Sequence, residues 1–281
     1  MSSLYRLLAA ALVLGSLCFV HGTIHAAESY DSCTGFIDSV PVTITTQGVW
    51  CFRKDLSTNI TDGNAITIAT NNVAIDCNDF KLGGLAAGDG SKANGIYAKD
   101  RRNTVVRHCN VRGFHVGIDI FSGAGHLIED NRLDNNLLAG IRILGGIGSL
   151  VQRNRVYDTG GAPDGSPIYG MNVSADVIDN VVEGVFVVAK NGYAYGIVLY
   201  APGALARNNH VSGLVAAGTG KAGGMFSGTT GMTLDGNQII STAAITGSGI
   251  AGASSACRNN TVSGFSVAAS NCQDGGGNAG M

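Results

Sequence analysis

The stretch "HLIEDNRLDNN" (His126–Asn136) carries an apolar pair, two variable residues, an Asn, a variable residue and an apolar one. The same order returns in "SLVQRNRVYD" (Ser149–Asp158), "DVIDNVVEG" (Asp176–Gly184), "ALARNNHVSG" (Ala204–Gly213), "MTLDGNQII" (Met232–Ile240) and "SACRNNTVSG" (Ser255–Gly264). The recurring amides are Asn131, Asn154, Asn180, Asn209, Asn237 and Asn260, and Cys109 fills the equivalent slot in "VVRHCNV". Counting from Cys109, successive slots lie 22 to 29 residues apart. A second pattern alternates with the first: Gly, apolar, variable, apolar, beginning at Gly95, Gly117, Gly140, Gly170, Gly196, Gly224 and Gly249.

Each repeat is therefore expected to hold two short strands with period-two character, joined by turns. A unit of this size has too little apolar surface for a core of its own, so neighbours must stack. Stacking pairs each strand in parallel with its counterpart one rung along, about 4.8 Å away, and piles like residues into columns. Ile and Val columns fill the interior. A column of Asn at one bend forms a hydrogen-bonded ladder, so these amides are read as structural.

Within this pattern, "NNVAIDCNDFKLGG" (Asn71–Gly84) and "NTVVRHCNVRGFHVGIDI" (Asn103–Ile120) resemble the opening coils of the right-handed parallel β-helix family, the fold of pectate lyases, polygalacturonases and many exported bacterial proteins. The resemblance covers about Ala65 to Val262. It implies an all-β, single-stranded right-handed parallel β-helix of about eight coils. The expected organisation is a signal peptide over 1–27, an N-terminal cap over 28–63, the solenoid over 64–264 and a tail over 265–281, loose beyond Cys272. The resemblance carries no catalytic residue across. The Asp-Asp pair and Gly-His-Gly segment of polygalacturonases are missing, as is the multi-Asp calcium cluster of pectate lyases.

Arg6, the apolar run Leu7–Val20 and the small residues Gly22, Ala26 and Ala27 read as a secretory signal, too short for a membrane span. A secreted or periplasmic protein without a membrane anchor is expected. With Cys18 removed, six cysteines remain, an even number that suits disulfides. Proximity in sequence favours Cys33–Cys51 and Cys257–Cys272, leaving Cys77 with Cys109. The chain has 42 Gly, 4 Pro, 14% charged and 45% hydrophobic residues, which suits a narrow core with many tight turns and argues against disorder. A net charge of −2 offers no general attraction for nucleic acid or anionic membrane, and a monomer is expected.

On the Gly-led strands the variable residue points outward, giving the column Thr67, Tyr97, Asp119, Arg142, Asn172, Val198, Phe226 and Ala251. A second outward column holds Lys99, Phe121, Leu144, Ser174 and Tyr200. Such a mixed face suits an extended polysaccharide, because aromatic rings stack on sugars and charged groups form strong hydrogen bonds. Tyr97, Asn172, Tyr200 and Phe226 are candidate substrate contacts. If the protein is an enzyme, Asp119, Arg142 and Lys99 are the candidate catalytic residues, and a polysaccharide lyase is favoured over a glycoside hydrolase. No cofactor is expected outside a lyase. In that case calcium would neutralise the sugar carboxylate, and Glu129 with Asp130 offers a turn for a cation.

Other features point to less. His108, His115, His126 and His210 lack a metal-binding spacing and are read as surface or turn residues. "GTGKAG" (Gly218–Gly223) lies between β coils with no helix after it, which excludes a dinucleotide loop. Longer insertions near "GGAPDGSPIYG" (Gly160–Gly170), "FVVAKNGYAYG" and "VAAGTGKAGG" bring Tyr169, Tyr193 and Tyr195 close to loops that would wall a groove if they flank the outward column. The function classes are thus a non-catalytic glycan binder, a carbohydrate-active enzyme of unrecognised type and a structural surface rod.

Overall fold

The computed structural model describes residues 30–281, so the signal segment lies outside the described residues. The chain winds into a parallel β-solenoid of about nine turns. Ten Gly-led or equivalent strand segments, from Val42–Ile44 to the last strand Thr261–Asp274, stack in one sheet. By the usual rung spacing that sheet is about 43 Å long.

Each coil holds three strands rather than the two expected. After a Gly-led strand such as Val116–Ala124 comes a second, Leu127–Glu129, and then a third, Arg132–Asp134. The bend between the second and third is made by one residue in the left-handed region immediately before the ladder Asn: Asp130 (φ 54°), Arg153 (53°), Asp179 (57°), Asn208 (56°), Gly236 (66°) and Asn259 (54°). Asn, Asp and Gly predominate because they tolerate this conformation best. One such residue turns the chain sharply, so the residues beyond the Asn enter a sheet of their own.

Registers hold from rung to rung except between the last two strands, where they shift after Ile240, Ile245 and Ala251, so the interior is a set of columns. One reads Ile66, Ile96, Ile118, Ile141, Met171, Ile197, Met225 and Ile250. Another reads Leu82, Val111, Leu133, Val156, Val182, Val211, Ile239 and Val262. All are buried. The Gly that opens each strand is required by close packing. A Cβ at Gly196 would lie 2.3 Å from Val211 Cγ1 and 2.6 Å from the Gly224 carbonyl oxygen, and one at Gly140 would lie 2.6 Å from Val156 Cγ1.

The Asn ladder is continuous. Asn154 Oδ1 accepts from the backbone N–H (3.1 Å) and Nδ2 (2.9 Å) of Asn131, while Asn131 Nδ2 also donates to Val106 O (2.9 Å). The motif repeats at Asn154–Asn180, Asn180–Asn209, Asn209–Asn237 and Asn237–Asn260. At its N-terminal end Cys109 N–H donates to Asn131 Oδ1 (3.0 Å), and Cys109 is bonded to Cys77. The column thus continues as a disulfide. The other two bridges are Cys33–Cys51 and Cys257–Cys272.

Both ends differ from expectation. The stretch expected to be an N-terminal cap supplies strands Gly35–Ile37, Val42–Ile44, Gly48–Phe52 and Leu56–Ser57, each paired in parallel with a later strand. It is the first coil of the stack. The tail beyond Cys272 is bonded to the last rung. Asn278 Oδ1 accepts from Asn260 N–H (2.9 Å) and Nδ2 (3.1 Å), and Asn278 Nδ2 donates to Cys257 O (2.8 Å), which adds a seventh amide to the ladder. Its glycines conceal this in the sequence, because they bury little and read as linker.

Removing one ladder amide should be costly, because it leaves the buried N–H of the preceding Asn without its acceptor and takes the removed amide's own hydrogen bonds from two backbone carbonyls. Asn180→Ala is expected to lower unfolding free energy in urea by about 3 kcal/mol. Gly196→Ala should cost about 1–3 kcal/mol through overpacking. Gly90→Ala, where an added Cβ meets nothing within 4 Å, should leave the midpoint unchanged.

Candidate functional site

The outward column of the Gly-led sheet is in register along its whole length. Thr67 pairs with Tyr97, Tyr97 with Asp119, Asp119 with Arg142, Arg142 with Asn172, Asn172 with Val198, Val198 with Phe226 and Phe226 with Ala251. From Tyr97 to Phe226 the column spans five rung steps, about 24 Å. Its first half is polar, and beside its second half stands a group of aromatic rings.

In the polar half Asp119 and Arg142 form a two-pronged ion pair, Arg142 Nε to Asp119 Oδ1 at 2.8 Å and Nη2 to Oδ2 at 2.7 Å. Asp119 is only 3% exposed. The carboxylate's hydrogen bonds raise the guanidinium pKa above its ordinary value, against the opposing effect of burial. Arg142 is thus fixed as a cation and is unsuited to proton abstraction. Burial and the neighbouring Asp119 raise the Tyr97 phenol, which stays protonated and can donate. Asn172 is 9% exposed and its Oδ1 has no hydrogen-bond partner among the described residues. Lys99, in the adjacent outward column, holds its ammonium 5.7 Å from the Phe121 ring centre. Among the described residues no ion pair joins Lys99 to Asp119.

The aromatic half was only partly anticipated. The rings of Tyr169 and Tyr195 stack at 5.7 Å with a 13° interplanar angle, and Tyr193 stacks on Tyr195 at 6.0 Å and 5°. Tyr195 also meets the Phe226 ring at 6.1 Å. Phe226 and Tyr200 are 38% and 39% exposed. Glycines on the next rung make room for the rings. A Cβ at Gly223 would lie 2.7 Å from Tyr195 Cδ1, and one at Gly228 would lie 2.5 Å from Tyr200 Cε1. Beside this row runs a cleft of about 160 Å³, bordered by Tyr193, Tyr195, Lys221, Phe226, Gly247 and Ser248. Burial raises the phenols of Tyr169 and Tyr195, which remain protonated.

The three insertions lie along one edge of this face and stack on each other. Gly160, Phe186 and Val215 bridge in parallel, Val187 N–H donates to Val215 O (3.1 Å), and Lys221 N–H donates to Gly192 O (3.3 Å). The first insertion also reaches back along the rod, where Asp164 pairs with Lys92 at 2.5 Å. A larger groove of about 390 Å³ lies at the bend between the third sheet and the Gly-led sheet, with Asp89, Asp158 and Phe186 in its walls. It has a single aromatic ring.

The turn proposed for a cation is already filled. Arg153 Nη2 lies 2.6 Å from Glu129 Oε2 and 2.8 Å from Asp130 Oδ2. Among the described residues no group of three or more His, Cys, Asp or Glu side chains is placed to hold a metal. No helix among them is long and apolar enough to cross a membrane.

Not all histidines lie at the surface or in exposed turns. His108 Nδ1 lies 3.2 Å from Asp76 Oδ1, and His210 Nδ1 lies 2.8 Å from Gln238 Oε1. His126 is buried, with Nε2 3.2 Å from Ser122 O. His115 is half-buried and feels the charges of Lys92, Arg142, Asp164 and Asp119. A lone His between apolar residues gives no signal in a sequence, because its surroundings come from other coils.

These features define a disulfide-braced parallel β-solenoid with a polar and aromatic groove along one face. The chain matches the model for the right-handed beta helix region over residues 60–239, and it belongs to that family. Among solved structures it is similar to DFA-IIIase from Arthrobacter chlorophenolicus A6 in complex with DFA-III (14% identity, TM-score 0.49, covering 86% of this chain and 59% of that one). It is also similar to the A-module of mannuronan C-5 epimerase AlgE4 from Azotobacter vinelandii (14%, TM-score 0.48, covering 85% and 80%). A third is the Dettilon tailspike protein (14%, TM-score 0.45), of which the chain spans 57% while 86% of its own length is covered. At these identities the likeness is one of winding alone. A comparison with curated proteins found no match.

Burial lowers the pKa of both His115 and His126 from the ordinary 6.5. Below that value the unfolded chain takes up protons that the folded chain refuses, so stability falls as pH falls. The thermal midpoint is expected to drop between about pH 7 and about pH 5, and His126→Gln should flatten that slope. A midpoint independent of pH across this window in the unaltered protein would contradict the assignment.

Proposed function

We propose that the protein is exported and binds an extended polysaccharide along the outward face of its Gly-led sheet. The observation that carries this reading is the aromatic row Tyr169, Tyr195 and Phe226, placed on successive rungs beside an open cleft. Sugar rings present flat C–H faces that stack on such side chains, and rungs about 4.8 Å apart offer stacking positions at regular intervals. Tyr97, Asn172 and Tyr200 supply hydrogen bonds and a further ring along the same face. Three disulfides suit the oxidising compartment that export reaches.

In this reading Asp119 and Arg142 act as a preformed hydrogen-bonding pair rather than as acid and base, and Lys99 is a cation at the rim. The reading requires neither calcium nor another cofactor, nor a second copy of the chain.

Electrophoresis through gels containing different polysaccharides tests it. At least one glycan should retard the protein, and Tyr195→Ala should weaken that retention about tenfold. Full retention by both Tyr195→Ala and Phe226→Ala would move the site elsewhere. Release of unsaturated uronates, abolished by Arg142→Ala, would replace the binder by a lyase.

A further inference from the structure

Two polar atoms on the polar half of the face are buried without a partner among the described residues: His115 Nδ1 and Asn172 Oδ1. Native interiors rarely leave such atoms unpaired, because each costs about 1–3 kcal/mol. Their positions are fixed by the rungs. Ala93 O accepts from His115 N–H (2.8 Å), and His115 O accepts from Leu138 N–H (2.8 Å). Phe114 and Val116 on either side are buried in the interior, so the His115 ring points to the outward side. Asn172 stands next to Arg142 in the outward column.

Charge around His115 is balanced in pairs. Lys92 is closed by Asp164 and Arg142 by Asp119, and all four act on the imidazole. The Lys92–Asp164 contact joins residues 72 apart in sequence. It fastens the loop after Gly160 back along the rod to the coil that precedes His115. What remains for a ligand is the Asn172 amide oxygen, an acceptor, and the His115 Nδ1, which accepts when the ring carries its proton on Nε2, amid charges that cancel in pairs. Hydroxyl groups fit that description.

We propose that His115 and Asn172 are ligand-contacting residues that accept hydrogen bonds from the hydroxyls of separate sugar units of an uncharged glycan along the polar end of the groove. The proposal rests on the glycan-binding reading above and adds the ligand class: a neutral glycan. An acidic glycan would instead be drawn to the ammonium of Lys99 at the rim, which has no ion pair among the described residues, and its binding would weaken with salt.

Two measurements test this. In the free protein labelled with nitrogen-15, the imidazole spectrum at neutral pH should show His115 Nδ1 as the unprotonated nitrogen, assigned by the loss of its signal in His115→Ala. A protonated Nδ1 would be a donor and would overturn the proposal without any ligand. Neutral gluco- and manno-oligosaccharides and an oligogalacturonate are then titrated into the full chain at about 0.05 M and about 0.5 M salt. Neutral sugars should bind equally at both salts and about tenfold more weakly to His115→Ala and Asn172→Ala. Binding of the uronate alone, lost in Lys99→Ala and unaffected in His115→Ala, would overturn this inference and leave the glycan reading standing. No binding of any sugar to the unaltered protein would overturn both.

Discussion

The buried ladder of asparagine amides is what the rest of the solenoid depends on. The apolar columns are nearly interchangeable from rung to rung. Ile96, Ile118 and Ile141 would pack almost equally well if one coil slid against the next. Burial alone therefore supplies stability with little specificity. The amides are less tolerant. Beyond Asn131, each Oδ1 accepts two hydrogen bonds from the Asn one rung before it, and each Nδ2 reaches a backbone carbonyl there. A slip would strand several buried polar groups at once, so the ladder acts as the register device of the fold.

Register is in turn what makes the outward face meaningful. Asp119 and Arg142 lie 23 residues apart in sequence, yet consecutive rungs hold them at bidentate distance. The same alignment brings Tyr169, Tyr195 and Phe226 into one aromatic row, and the small residues Gly223 and Gly228 on following rungs give the rings their room. The insertions contribute differently. They stack among themselves along one edge, and the Lys92–Asp164 contact carries the first of them back to the coil of Lys92.

Repetition made the fold legible, because a residue required once per coil recurs at intervals that can be counted. The amide ladder, the Gly-led strands, the outward column and the even set of cysteines all follow from such counting. Single events were not legible. The third strand of each coil was hidden by a one-residue bend, and the closing rung by the glycines around Asn278. The first coil reads as a cap because its strands, such as Gly35–Ile37, lack the repeat's signature.

By itself the sequence determined that the chain stacks, which residues face inward, and which side chains share the outward column. These depend on period and composition, which are local. Only the tertiary structure decided which charges cancel, since Arg153 fills the turn of Glu129 and Asp130 and Arg142 is held by Asp119. It alone decided that the tyrosines stack and that His115 lies half-buried among four charges. Those outcomes turn on distances between coils, and residues 22 to 72 positions apart come together only when the winding sets them there.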